Sequence, residues 1–129
     1  GLAYGLKEGK ESLEKKNGVK ITKLRVSGGG SQSDAAMQLT ADIFNMEAER
    51  PHTFETSGLG AAIDVAVGIG IYPNFDEAVE NMTRIGKTFK PIPENVELYN
   101  RLYNEVYLKM YKQLQPLYKS IRDITGYPE

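Results

Sequence analysis

The sequence predicts a mixed α/β fold, and two observations carry that prediction. An apolar run with Ile21, Leu24 and Val26 reads as a buried strand, Gly28, Gly29 and Gly30 follow it, and a helix pattern opens a few residues later. Apolar residues at helical spacing then fill most of the chain, broken only by short alternating stretches and by glycine or proline turns.

Taken in order, Leu2, Leu6 and Leu13 with Tyr4 line one side of a first helix. It should stop near Gly18, which can take the left-handed closing conformation, with Lys15 and Lys16 facing the negative end of the helix dipole. There is no initiator Met and the helical pattern is under way from the start, so the chain is expected to be a piece of a longer protein. After the strand ending at Val26, Ser33 is the expected N-cap of a second helix, and Asp34 adds a favourable charge in its first turn. Ala36, Met37, Leu39, Thr40, Ile43 and Phe44 give that helix an apolar face, and it should end around Asn45.

Met46 to Pro51 alternates enough for a short strand that Pro51 ends or confines to a sheet edge. A third helix follows, capped by Thr56 or Ser57 and rich in glycine and alanine from Gly58 to Ala62, which suits close burial against another element. Asn74 should cap a short helix over Phe75 to Met82, and Gly86 to Pro93 reads as an extended connector. From Glu94 the chain is helical, with Leu98, Leu102, Val106 and Met110 on one stripe and Tyr99, Tyr103, Tyr107 and Tyr111 on the next. The tyrosines are expected at the edge of a core with hydroxyls in water. Pro116 should kink or restart this helix, and Gly126 should close it.

The chemistry concentrates in the glycine turn. Glycines let a ligand approach the main chain, and the first amides of a following helix lack internal partners and carry the positive end of its dipole. Such a turn suits an anion, phosphate above all. Its spacing matches neither the dinucleotide G-x-G-x-x-G nor the phosphate loop G-x-x-x-x-G-K-[ST], so a plain strand-to-helix connection remains the alternative. His52 has no second histidine or metal-ligand spacing around it, and Glu47 and Glu49 share a strand face with nothing to raise their pKa. Neither receives a catalytic role.

Composition excludes several classes. The 129 residues carry a net charge of -1 with both signs interspersed and no basic run, which argues against nucleic acid or an anionic membrane as partner. Cysteine is absent, so there is no disulfide framework or thiolate chemistry. No apolar stretch reaches spanning length and no signal peptide is visible, so a cytoplasmic location is the expectation.

The order of motifs points further. Leu24 to Asp34, then Met37 to Ile43, then Glu49-Arg50-Pro51, then Glu55 to Ala62 closely resembles the C-terminal part of the FGGY carbohydrate kinases, the glycerol, xylulose and ribulose kinase family. The resemblance runs from Gly1 to about Tyr111. It implies an actin-like ATPase (ribonuclease H-like) fold of two domains, with residues 1–129 forming the end of the second, nucleotide-binding domain. ATP, with Mg2+, would lie in the cleft between the domains. The matching residues are Gly28, Gly29 and Gly30, which would form a wall along the α-phosphate and adenosine side, with the Gly29 amide foremost. Ser33 would lie near the adenine or ribose. Glycerol kinases carry Asn at that position, and a hydroxyl cannot reproduce both the donor and the acceptor of an amide.

The segment Gly58 to Ala62 matches a helix packed against the ATPase core. The family's catalytic base is an Asp of the N-terminal domain, and the pocket for the sugar or polyol substrate and most Mg2+ and γ-phosphate contacts also lie outside this chain. The resemblance therefore assigns no catalytic and no metal-ligating residue here, and implies that the chain alone phosphorylates nothing. The tail beyond Tyr111 is longer than expected of glycerol kinase-like members, which suits either a less familiar branch of the family or an added helix at a subunit contact and leaves a homo-oligomer open. Two alternatives stand beside this reading: another actin-like ATPase of chaperone or activator type, and a non-catalytic interaction module built on the tyrosine-striped helix.

Overall fold

The computed structural model describes residues 1–126; Tyr127, Pro128 and Glu129, the last residues of the tail, lie outside the described residues. The chain opens with α1 (Leu2–Asn17), closed by Gly18 at φ 66°, as the lysine-lysine-asparagine-glycine ending predicts. β1 (Leu24–Arg25) leads into a 3-10 turn (Gly29–Gln32) and α2 (Asp34–Phe44), which ends on Asn45 in the left-handed region at φ 49°. β2 (Ala48–Pro51), α3 (Thr56–Gly68), α4 (Phe75–Met82) and β3 (Ile85–Phe89) follow. α5 (Pro93–Leu102), a π-turn (Tyr103–Tyr107) and α6 (Leu108–Thr125) complete the described chain, and Gly126 at φ 65° caps α6.

The strands form one sheet in the order β1-β2-β3. β1 pairs parallel with β2, Leu24 opposite Ala48 and Arg25 opposite Glu49, and α2 is the crossover between them. β3 pairs antiparallel with β2, Ala48 opposite Phe89 and Arg50 opposite Lys87, with a register shift at Pro51, which has no N–H to continue the ladder. β2 is thus the central strand and not an edge. The expected connector after Gly86 begins as β3; Gly86 breaks the alternation that would have revealed a strand. That glycine is needed, since a Cβ there would lie 3.0 Å from the His52 Cα and 3.1 Å from the Pro51 carbonyl oxygen.

α2 lies on this sheet. Met37, Ala41, Ala48 and Phe89 form the core cluster, with Leu24 and Val26 packed against it. Burying Met37 and Phe89 contributes about 2 kcal/mol each. Two buried polar groups join α2 to its neighbours. The Asp42 carboxylate accepts from the Ile92 amide and the Asn95 side chain, both at 2.8 Å, and so holds the start of α5. The Lys7 ammonium donates to the Ile43 carbonyl at 3.0 Å and to Asn100 Oδ1 at 2.7 Å, and burial lowers its pKa.

Three expectations change. α3 has Glu55 as its N-cap and no side-chain cap bond, because the Thr56 hydroxyl instead donates to Ser27 Oγ at 3.1 Å. Of this helix only Ile63 and Ala66 are buried, and Val65 is 59% exposed, so the close burial expected of its small residues is not met among the described residues. The tyrosine stripe divides: Tyr103 is buried and donates to Glu11 Oε2 at 2.9 Å, while Tyr111 is exposed. Tyr4, Tyr103 and Tyr107 stack with ring centroids 5.2 to 5.7 Å apart, and the widened π-turn sits at this cluster. α6 runs through Pro116 without ending there. No described helix is long and apolar enough to cross a membrane.

Candidate functional site

The strand that ends at Arg25 is continued by one more ladder bond, from the Val26 amide to the Glu49 carbonyl at 2.9 Å, and then the chain turns away from the sheet. Gly28 takes φ 87°, a value L side chains rarely adopt, and its N–H donates to the Phe54 carbonyl at 3.3 Å. The Gly28 carbonyl accepts twice from Ser31, from the amide at 3.1 Å and from the hydroxyl at 2.7 Å. Ser31 is buried, so the turn is anchored from below.

The Gly29 and Gly30 amides open this 3-10 turn and donate to no group among the described residues. Both glycines are exposed, and a Cβ built on Gly28, Gly29 or Gly30 meets nothing within 4 Å. Two successive unpartnered donors on exposed glycines suit an anion. Ser33 lies at the far end of the same turn, exposed, with its Oγ accepting from the Ala36 amide at 3.3 Å as the predicted N-cap of α2. That bond leaves the hydroxyl proton free to donate. The four residues singled out in the sequence thus occupy one elbow, Gly29, Gly30 and Ser33 exposed and Gly28 half-buried.

The sequence reading missed the frame around it. Arg50 on β2 donates from Nη1 to the Ser31 carbonyl at 2.9 Å, the Gln32 carbonyl at 3.2 Å and Asp34 Oδ1 at 2.8 Å. Lys87 on β3 also binds the Asp34 carboxylate. Lys87 first and Arg50 second hold that carboxyl below the usual range for Asp. Two cations against one carboxylate leave a net positive field beside the open amides. The one available signal was the Glu49-Arg50-Pro51 stretch, and nothing local in it shows that Arg50 faces the turn.

The remaining candidates stay apart. His52 is exposed and lines a hollow of about 190 Å³ with Gln32, Arg50, Pro51 and Phe54. Glu49 is buried and bound by Lys23 at 2.8 Å and Arg25 at 3.2 Å, which holds its carboxyl low, Lys23 contributing most. Glu47 stands 3.8 Å from Lys90. The described residues contain no group of three His, Cys, Asp or Glu placed to hold a metal ion.

Comparison with known proteins identifies the family. The family model described as the FGGY family of carbohydrate kinases, C-terminal domain, matches residues 1–69. An uncharacterized sugar kinase of Escherichia coli is 37% identical over 99 residues, covering 77% of this chain and 20% of that protein. A xylulose kinase of Staphylococcus epidermidis is 33% identical over 126 residues, covering 98% of this chain and 25% of that protein. The chain therefore spans about a fifth to a quarter of the length of these relatives.

In three dimensions it superposes on ligand-bound xylulose kinase from Lactobacillus acidophilus with a TM-score of 0.79 at 23% identity, over 94% of this chain and 24% of that one. Plasmodium falciparum glycerol kinase, solved with ADP, gives a TM-score of 0.68 at 24% identity, over 84% of this chain and 22% of that one. These neighbours share the actin-like ATPase fold. The ordered strand, glycine turn and helix, and the family match across more than half of its length, settle the assignment: the chain belongs to the FGGY family of carbohydrate kinases.

Proposed function

We propose that the intact protein containing this chain transfers the γ-phosphoryl group of ATP to a hydroxyl of a sugar or polyol. Residues 1–129 are, on this reading, the C-terminal portion of its nucleotide-binding domain. The attacking oxygen bonds to the γ-phosphorus, the β–γ bridge opens to leave ADP, and the hydroxyl proton passes to a base outside this chain. In such a transfer the protein chiefly positions the reactants and stabilises charge. Gly28, Gly29 and Gly30 supply the wall along the α-phosphate and adenosine, and Ser33 faces the adenine or ribose. The one observation that supports this most is the pair of N–H groups at Gly29 and Gly30, unpartnered among the described residues and carried by exposed glycines. Mg2+ would arrive with ATP and supply charge neutralisation at its phosphates, held by groups outside this chain.

Calorimetric titration of the intact protein with ATP tests the reading. Saturable binding is expected in the wild type, with a loss of about a hundredfold or more in Gly29→Asp, whose carboxylate crowds the nucleotide and repels its phosphates. Wild-type affinity in Gly29→Asp contradicts it. The isolated chain should give no turnover in a coupled kinase assay with any sugar, because the acceptor pocket and the base lie elsewhere; measurable turnover would refute this.

A further inference from the structure

We propose that Arg50 is a positioning residue for the nucleotide, acting through the main chain of residues 31–33 without touching the ligand. This rests on the reading of the glycine turn as the nucleotide wall. The two halves of the turn are held by bonds of different quality. In the first half, the Ser31 hydroxyl and amide reach the Gly28 carbonyl at 2.7 and 3.1 Å. In the second half the Ser33 carbonyl is held by the Met37 amide at 3.0 Å, but the other local bonds are long: the Ser33 amide lies 3.4 Å from the Gly30 carbonyl, and the Ala36 amide 3.3 Å from Ser33 Oγ. Bonds of that length hold little by themselves.

What holds the Ser31 and Gln32 carbonyls is Arg50. The two hydrogens of its Nη1, shared with Asp34, reach two successive carbonyls, those of Ser31 and Gln32, so turning either peptide plane loses a charge-assisted contact. The side chain is itself placed from three directions. It shares a strand face with Ala48, toward α2 and the core. Its guanidinium carbon lies 5.5 Å from the centroid of the Phe89 ring, and Asp34 grips the same nitrogen that holds the carbonyls. With only 21% of its side chain exposed, it acts from beneath the turn, leaving the outer surface to Gly29, Gly30 and Ser33. Removing the guanidinium therefore loosens the peptides between Ser31 and Ser33, on the adenosine side, while the Ser31 amide and hydroxyl keep their bonds to the Gly28 carbonyl.

The test compares ATP dissociation constants and thermal midpoints of the intact protein as wild type, Arg50→Met and Gly29→Asp. Arg50→Met is expected to weaken ATP binding by about tenfold or more, the scale of a lost hydrogen bond to a charged group. A purely structural role would lower the thermal midpoint and leave the ATP constant of the folded fraction unchanged, and that result overturns the proposal. If Arg50→Met does not accumulate as folded protein, Arg50→Gln carries the test: its amide keeps part of the tie, and about a threefold weakening is expected. An unchanged constant in Arg50→Gln then overturns the proposal. Loss of binding in Gly29→Asp beside an unchanged Arg50 variant defeats the Arg50 role alone, whereas a wild type that does not saturate with ATP defeats the nucleotide reading itself.

Discussion

The Gly28–Gly30 turn and the Gly58–Ala62 segment of α3 are both short of side chain, and at Gly28, Gly29, Gly30, Gly58 and Gly60 a Cβ would meet nothing within 4 Å. Their backbones separate them. Gly28 sits at φ 87°, and the two amides after it have no acceptor among the described residues. Gly60 lies inside a right-handed helix, where main-chain donors are turned to carbonyls one turn back. Empty space beside a glycine is thus no mark of a ligand site. Free donors held in place by a polar frame are what an anion would need, and Ser31, Arg50, Asp34 and Lys87 make such a frame here.

Glycine substitutions break the comparison most directly. The largest cost is expected outside both segments, at Gly86→Ala, whose Cβ would press on the backbone of Pro51 and His52 where β2 slips register; denaturant unfolding should show a loss of about 1–3 kcal/mol. Gly28→Ala should cost about 1–2 kcal/mol, because a Cβ is strained at its positive φ although space is available. Gly60→Ala should do the reverse and stabilise the chain by about 0.5–1 kcal/mol, the ordinary helical advantage of alanine over glycine. A loss at Gly60 would show that in the intact protein another surface packs against α3.

The smallest effect is a titration. Asp34 has a lowered pKa in the fold, so its contribution is present above the ordinary Asp range and is lost as pH falls through the lowered value. As pH falls below the ordinary Asp range and through that lowered value, the Lys87 and Arg50 bonds to Asp34 should weaken, and the amide shifts of Ser31, Gln32 and Ser33 should move. In Asp34→Asn that acid movement should disappear. Its persistence would place the titrating group elsewhere.

Local signals in the sequence were enough for α1 with its Gly18 ending, for α2 with its Ser33 cap, and for α4, whose Asn74 side chain accepts from the Glu77 amide at 2.9 Å. Caps and helical spacing are properties of a few adjacent residues. β3 was hidden because Gly86 interrupts the alternation, and Gly86 is there for a neighbour 34 residues away, His52. Tyr103 was misplaced at the core edge because its burial depends on Tyr4 and Glu11 of α1 meeting it across the fold. The site shows the same split: its glycines and Ser33 were legible as a contiguous motif, whereas Arg50 and Lys87 reach it only through the pairing of β2 with β3.

The most direct measurement is a crystal structure of the intact protein with a non-hydrolysable ATP analogue. The account predicts the Gly29 or Gly30 amide at about 3 Å from an oxygen of the nucleotide, with the Ser33 hydroxyl toward the adenosine. An analogue bound elsewhere, with residues 28–30 covered by neighbouring side chains and their amides turned inward, would contradict it.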